Sequence, residues 1–322
     1  MLEQDYERVA AAVRAADSVC IITHLRPDAD AVGSACALNM ALQQFDKPTR
    51  VVIGQRREIS RNLLSIPGSE AVELVEDLPD GYDLYVTVDC GSLDRTGSLA
   101  PAVERQAAAG RVVCIDHHAS NPGFGSVNLV DYECESTTVA LTQILDLLDV
   151  QMDKDIAHAL YAGLVTDTGS FRWGRPAMHE YAARLMHYAL DTKQIAVDLL
   201  DSTTATDLQM LGRVLSGVQV VEAGSHTLGV LVGRLADIRD HSDAAVESLV
   251  EFVRALDGTD IGVVFKEQAP GVFATSLRSS VVDCSAIALQ FGGGGHVPAA
   301  GYTAHGTPEQ ITEKLVEVVR TY

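Results

Sequence analysis

Basic side chains are scarce in this chain. Its 24 Lys and Arg stand against 44 Asp and Glu, a formal net charge of −20. Proteins that work on long nucleic acid draw affinity from a basic surface, so the balance argues against long duplex DNA as a partner. It admits a small anionic substrate only where metal ions or a few local arginines overcome the general repulsion. Paired cysteines are lacking too. Cys20, Cys36, Cys90, Cys114, Cys134 and Cys284 form no Cys-x-x-Cys, which leaves neither a zinc ribbon nor a thioredoxin-type motif. Several of them sit in apolar runs, where reduced Cys behaves as a small hydrophobe. No apolar run approaches the length of a membrane span, and Met1-Leu2-Glu3-Gln4-Asp5 shows no signal-peptide pattern. There is no internal repeat or low-complexity tract. These absences lead us to expect a reduced, cytoplasmic protein with no membrane partner.

What is present suits a globular enzyme. The 322 residues, 47% hydrophobic and 21% charged, give room for two domains with separate cores. Residues 5–16 have helical periodicity, with Tyr6, Val9, Val13 and Ala16 on one face. A buried strand at 18–23 then runs into His24-Leu25-Arg26-Pro27-Asp28-Ala29-Asp30, followed by an Ala- and Leu-rich helix to about Phe45. Pro27 keeps Arg26 out of helical geometry, so His24, Asp28 and Asp30 are expected on a turn. Gly33 and Ser34 fall near the helix start, where free amides favour phosphate. Asp28 or Asp30 could equally be a helix cap, but one cap needs only one carboxylate. Arg50–Gly54 and Leu84–Asp89 read as further strands, the second driving an apolar run into a carboxylate.

Val112-Val113-Cys114-Ile115-Asp116-His117-His118 repeats that pattern: a buried strand stopping at three ionisable residues. Taken alone it could be a satisfied polar cluster. Helices are expected over 136–148 and 155–166, the latter leading to Asp167. Alternating strands and helices predict a mainly parallel sheet covered on both faces, with ligands at the carboxyl ends of its strands. From 176 to 215 the pattern is helical; His179, His187 and Asp207 there read as solvated or satisfied. Strands at 218–223, 227–232, 261–266 and 272–278, with a helix near 243–256, predict a second, smaller α/β domain. We expect domains at 1–190 and 215–322 joined by a helical linker, 191–214. The second domain carries Gly292-Gly293-Gly294-Gly295-His296, a loop whose amides can approach an anion or that serves only as a turn.

Collected, the strand-end and loop groups are His24, Asp28, Asp30, Asp89, His117 and Asp167, with Asp116 and His118 alongside. Four carboxylates and two imidazoles without a thiolate suit two divalent ions. Manganese is favoured, with magnesium or cobalt as substitutes, over a structural zinc. One carboxylate must bridge. Paired metals ~3.5–4 Å apart clamp the attacking and leaving oxygens of phosphoryl transfer, so the pattern points to phosphoester hydrolysis.

His24-x-x-x-Asp28-x-Asp30, Asp89, Asp116-His117-His118 and Asp167 resemble the four motifs of the DHH phosphoesterases. Arg278-Ser279 and the Gly292–His296 run resemble the DHH-associated carboxy-terminal domain. Motif order, spacing and domain order agree over almost the whole chain, and the nanoRNase/pAp phosphatase group is the nearest in pattern. The resemblance implies a larger amino-terminal metal-binding domain, a smaller carboxy-terminal one and an active-site cleft between them. His24, Asp28 and Asp89 would hold one metal. Asp30, Asp89, His117 and Asp167 would hold the other, with Asp89 bridging. His118 would polarise the scissile phosphate or assist the leaving group, and Asp116 would orient a ligating His. Arg278, Ser279, Gly293, Gly294, Gly295 and His296 would grip the substrate, with closure as a gate.

Implied substrates are short RNA oligonucleotides, 3′-phosphoadenosine 5′-phosphate (pAp), pApA and cyclic di-AMP. A homodimer is implied by resemblance alone. Three alternatives compete. Family II inorganic pyrophosphatases share the first domain but carry a Ser-Arg-Lys-Lys-Gln stretch that is absent here. RecJ-like exonucleases are longer and suit a more basic groove. A nucleotide-binding regulator that has lost catalysis would not need all six ligands.

Overall fold

The structure, a computed structural model, describes every residue except Met1 and Ser202. The chain divides into two compact units, Met1–Ser202 and Thr203–Tyr322.

The first unit runs α1 (Leu2–Ala15), β1 (Val19–Thr23), α2 (Ala29–Gln43), β2 (Thr49–Ile53), β3 (Val72–Leu74), β4 (Leu84–Val88), α3 (Ala100–Ala108), β5 (Val112–Asp116), β6 (Val127–Val130), α4 (Thr137–Leu147), α5 (Lys154–Asp167), α6 (Ala177–Met186) and α7 (Thr192–Leu200). Its six strands form one sheet in the order β3-β2-β1-β4-β5-β6, with every pair parallel. Both faces are covered, as the continuous apolar strands predict. Val19, Ile21, Val86, Val113 and Ile115 face a core shared with α1, α2, α4 and α5. Cys20, Ile22, Tyr85 and Val112 face a smaller one with Leu99 and with Val103 of α3. Fully burying an Ile such as Ile21 or Ile22 contributes roughly 1.5–3 kcal/mol, so an inward charge in mid-strand would be costly. Charge therefore collects where the strands stop.

The strand order places a switch point between β1 and β4. The chain leaves β1 toward β2 and β3, then returns beside β1 as β4 and proceeds to the other edge. Crossovers on either side diverge there and leave a crevice beyond the carboxyl ends. Helix α2 departs from that crevice and is buried nearly all round, which explains its run of small residues. A Cβ on Gly33 would lie 2.3 Å from the Ala159 carbonyl oxygen of α5. Gly33 thus serves close packing of α2 on α5, not the phosphate contact expected of it, and Ser34 beside it is fully buried.

The second unit comprises α8 (Ala205–Leu215), β7 (Gln219–Ala223), β8 (His226–Gly233), α9 (Leu235–Ile238), α10 (Asp243–Arg254), β9 (Ile261–Ala269), β10 (Val272–Arg278), α11 (Cys284–Gln290), β11 (Gly294–His296), β12 (Ala299–His305) and α12 (Pro308–Val319). Its sheet, β11-β12-β10-β9-β8-β7, is antiparallel except between β8 and β9. Met210, Leu211 and Val214 of α8 pack with Val246, Leu249 and Val253 of α10 on one face, and α11 and α12 cover the other. The boundary falls inside the stretch expected to be a linker, because α8 belongs to this core. Asp207 on α8 is satisfied by His241 (2.9 Å) and the Ser242 hydroxyl (2.9 Å). All six cysteines are free and buried. Among the described residues, no helix is long and apolar enough to cross a membrane.

Candidate metal centre

The carboxyl ends of β1, β4 and β5 deliver the ionisable groups. His24 follows β1 directly. Its Nε2 faces Asp89 Oδ2 at 3.4 Å and Asp28 Oδ1 at 3.9 Å. Its Nδ1 lies 2.8 Å from the Leu25 carbonyl and 2.9 Å from Arg95 Nη2. When Nδ1 carries the proton it donates to that carbonyl, which leaves the Nε2 lone pair for a metal. Asp28 does cap α2, taking the amides of Asp30 (3.1 Å) and Ala31 (3.0 Å) on one oxygen. Capping and ligation are compatible, since a carboxylate has a second oxygen. Asp30 lies inside the first turn of α2, not on the preceding turn as expected, and Arg26 stays out of the right-handed helical region, at a left-handed φ of 50°.

Asp89 follows β4 at a φ of 58°, a backbone state costing a non-glycine residue about 1–3 kcal/mol unless its surroundings impose it. Its two oxygens point to opposite histidines. Oδ2 faces His24, and Oδ1 lies 3.6 Å from His118 Nδ1 and 3.7 Å from His117 Nε2. That nitrogen is also 3.3 Å from Asp167 Oδ2 and 3.9 Å from Asp30 Oδ2. Asp89 enters three donor groups, His24–Asp28–Asp89, Asp30–Asp89–His117 and Asp89–Asp116–His118, in each of which the ligand atoms lie within 4.8 Å of one another. Asp167, the last residue of α5, joins the second through His117.

Electrostatics make the same point. Burial lifts the Asp89 carboxyl well above the ordinary carboxylate range, and Asp30, Asp28, Asp116 and Asp167 push it further. Asp30 is raised to about 7 by burial and then by the charge of Asp167. Burial works to lower His117, but its hydrogen bond to Asp167 and that carboxylate's charge lift it to about 10. Burial drops His24 to about 4, against the pull of Asp28. A knot of buried acids held this way lacks positive charge, and hard oxygen-rich donors of this kind fit divalent ions.

The third strand end behaves differently. Asp116 closes β5, and its Oδ1 lies 2.8 Å from His118 Nδ1, with its Oδ2 accepting from Asn121 Nδ2 at 2.6 Å. Asp116 therefore orients His118 rather than His117, whose Nδ1 faces the Cys134 carbonyl at 3.3 Å. His118 keeps 29% of its side chain exposed, with its Nδ1 held by Asp116. In the second unit, Arg278 ends β10 and its Nη1 donates to the Leu277 carbonyl (3.0 Å). The Ser279 hydroxyl donates to the Asp260 carbonyl and accepts the Val281 and Val282 amides. The glycine run forms a hairpin: Gly294, Gly295 and His296 pair with β12. The Gly293 amide is engaged by the Ala288 carbonyl, and a Cβ there would lie 2.1 Å from the Gly301 oxygen. Close approach of backbone to backbone is thus one reason for the glycines.

The motif of strand ends, metal-type donors and an oriented histidine has counterparts elsewhere. A family model described as the DHH family, N-terminal domain, matches residues 18–164. The Thermus thermophilus protein named bifunctional oligoribonuclease and PAP phosphatase NrnA is 33% identical over 94% of this chain and 89% of its own length. The chain belongs to the DHH family. Membership makes it a hydrolase of phosphate esters. A Streptococcus mutans protein named as a probable bifunctional oligoribonuclease and PAP phosphatase NrnA is 24% identical over 94% of this chain and 95% of its own. An exopolyphosphatase-related protein of Bacteroides fragilis has the same fold, with a TM-score of 0.83, 23% identity, and coverage of 99% of this chain and 96% of that one.

Sequence reasoning missed the residues that hold the ligands in place. Nothing in the sequence singled out Arg95, Asn121, Cys134 or Thr137 for the site, and Cys134 and Thr137 reach His117 and Asp30 through backbone atoms that every residue carries. For Thr137 the available signal was its place after Ser136 at a helix start.

Proposed function

We propose that this chain is a manganese-dependent phosphoesterase that releases nucleoside monophosphates from oligoribonucleotides of a few residues and converts pAp to AMP. pApA and cyclic di-AMP are further candidate substrates, cytoplasm the compartment and a homodimer the assembly. The observation that carries the reading is the sharing of Asp89 among donor groups that each have their own histidine, His24 on its Oδ2 side and His117 and His118 on its Oδ1 side. The names of the full-length relatives supply the substrate class.

In this reading His24, Asp28 and Asp89 hold one ion, and Asp30, Asp89, His117 and Asp167 the other. Manganese suits the carboxylate-rich, thiolate-free set. When bound, a metal pair supplies positive charge at the phosphoryl oxygens and acidifies the attacking water. His118, steadied by Asp116, presents Nε2 to the scissile phosphate, and donates a proton to the leaving oxygen when its ring is protonated. Arg278, Ser279, His296 and the glycine run at 293–295 are the proposed substrate grip, with Arg278 offering the charge for a phosphate.

The test is a comparison of kcat/KM on pAp, pApA, cyclic di-AMP and short RNA with manganese present. For 5′-phosphorylated RNAs of two, three, five and about twenty residues we expect efficiency to fall steeply with length, since long-chain binders need successive basic contacts and this chain carries −20. Equal efficiency across that series, with strong salt dependence for the longest, would favour a RecJ-like exonuclease instead.

A further inference from the structure

Three of the side chains assigned to the metals are held by one short segment to which none of them belongs. It is the turn from β6 into α4. Thr137 donates twice, its amide to Asp30 Oδ2 at 2.6 Å and its hydroxyl to Asp89 Oδ1 at 2.9 Å. The Thr138 amide donates to Asp30 Oδ1 at 2.9 Å, and the Cys134 carbonyl faces His117 Nδ1. The turn is itself fastened. The Asp131 amide donates to the Asp116 carbonyl (2.9 Å), and its own carbonyl accepts the Cys134 amide (3.0 Å). Its side chain accepts the Glu133 amide (3.1 Å) and, from α1, the Tyr6 hydroxyl (2.8 Å). Tyr6, Asp131, Ser136, Thr137 and Thr138 are all buried, so water competes little for these bonds.

We propose that this turn is the positioning element of the metal centre, and that Thr137 is its principal positioning residue. The inference rests on the metal-centre reading above. A carboxylate that must bridge can fail by rotating until both oxygens chelate one ion. The Thr137 hydroxyl occupies one lone-pair direction of Asp89 Oδ1, so the plane of the carboxylate is set. One oxygen then remains turned toward His24 and the other toward His117. The two amides on Asp30 act likewise, leaving each of its oxygens fewer lone pairs and favouring a single bond to metal. Tyr6, through Asp131, keeps the turn in register with the end of β5.

Manganese(II) alone is the probe, titrated calorimetrically into metal-stripped wild type, Thr137→Val and Thr137→Ser, all as full chains. Thr137→Val keeps the shape and loses the donor; Thr137→Ser keeps the donor. We expect Thr137→Val to weaken manganese binding by about 10–100-fold, the range seen when an outer hydrogen-bond partner of a metal ligand is removed, and Thr137→Ser to restore most of it. A purely structural role would lower the Tm of the stripped protein and leave the isotherm of the folded fraction unchanged. A Thr137→Val isotherm superimposable on wild type therefore overturns the proposal. Wild type that takes up no manganese overturns the metal-centre reading instead. Should Thr137→Val not fold, Tyr6→Phe removes one hydroxyl at the far end of the same turn. Severalfold weaker manganese binding supports the proposal there, and an unchanged isotherm overturns it.

Discussion

Asp28 stands on the loop between β1 and α2 with 59% of its side chain exposed, although His24 beside it is buried, whereas Asp30, fully buried, and His117 are bedded in the core beside the start of α4. The first group offers two carboxylates and an imidazole, and the second offers three carboxylates, Asp30, Asp89 and Asp167, with its imidazole. Ligand charge and rigidity both raise affinity for a divalent ion. The difference teaches that, on the proposed reading, two ions sharing one bridge need not be equivalent: the buried group would retain its ion, and the loop group would exchange one at the solvent side. Asp89 is the one carboxylate that both groups contain.

Removing that carboxylate should have the largest effect. Asp89→Ala is expected to lose both ions and lower turnover by more than about 100-fold, beyond the range typical of outer partners. Metal analysis showing both ions still bound would place the bridge elsewhere. The next break is asymmetric. Asp30→Asn should abolish the tighter phase of a manganese titration, and Asp28→Asn only the weaker one, with at least about a tenfold gap between their effects on overall affinity, as ligand charge count implies. Asp30→Asn also sets an amide group against the Thr137 and Thr138 N–H donors. Leaving one of these unsatisfied adds about 1–3 kcal/mol of destabilisation. Identical isotherms for the two variants would contradict the asymmetry.

The stripped protein should report the same contrast through pH. Asp30 is raised to about 7, so its native state holds a proton that the unfolded chain has released, and stability falls as pH rises from about 4 to about 7. His117, raised to about 10, adds a loss between its unfolded value near 6.5 and about 10. His24, lowered to about 4, works the other way between about 4 and 6.5. The net expectation is a partly offset change below neutrality and a clear fall in Tm above it. Manganese should flatten the alkaline fall by replacing the missing charge. A stripped protein whose Tm rises from pH 7 to 9 would refute the sign.

Much of this was legible before the fold was known, for a physical reason. β1, β4 and β5 are buried on both faces, so they appear as unbroken apolar runs, and an acid or histidine ending such a run stands out. β3 and β6 are three and four residues long at the sheet edges, too short and too mixed in burial to announce themselves. α8 reads as helix but not as core, because what it packs on lies in α10 and in strands that follow it. At the site, side-chain donors were visible and their supports were not. The Cys134 carbonyl and the amides of Thr137 and Thr138 belong to every sequence alike. Only the turn between β6 and α4 shows that they converge on Asp30 and His117.

The smallest predicted effect tests whether the buried half is rigid because it is full. A Cβ on Gly163 of α5 would lie 2.4 Å from Asp30 Oδ1 and 2.6 Å from both Thr138 Oγ1 and Cγ2. Neither neighbour can retreat easily: Asp30 is tied to two amides and Thr138 lies within the first turn of α4. Gly91, beside the more exposed His118, is different. A Cβ there would meet the His118 ring at 3.2 Å, tight but against a side chain with solvent on one side. Gly163→Ala should therefore destabilise by about 1–3 kcal/mol, as overpacking of a filled core does, and weaken the tight manganese phase as Asp30 is displaced. Gly91→Ala should leave manganese binding unchanged and act on turnover alone, through the tilt of His118. The check pairs a denaturant midpoint with a manganese isotherm for each variant. If Gly163→Ala keeps wild-type stability and affinity, then α5 has room to move, and the contrast between a packed half and an open half fails at its most direct point.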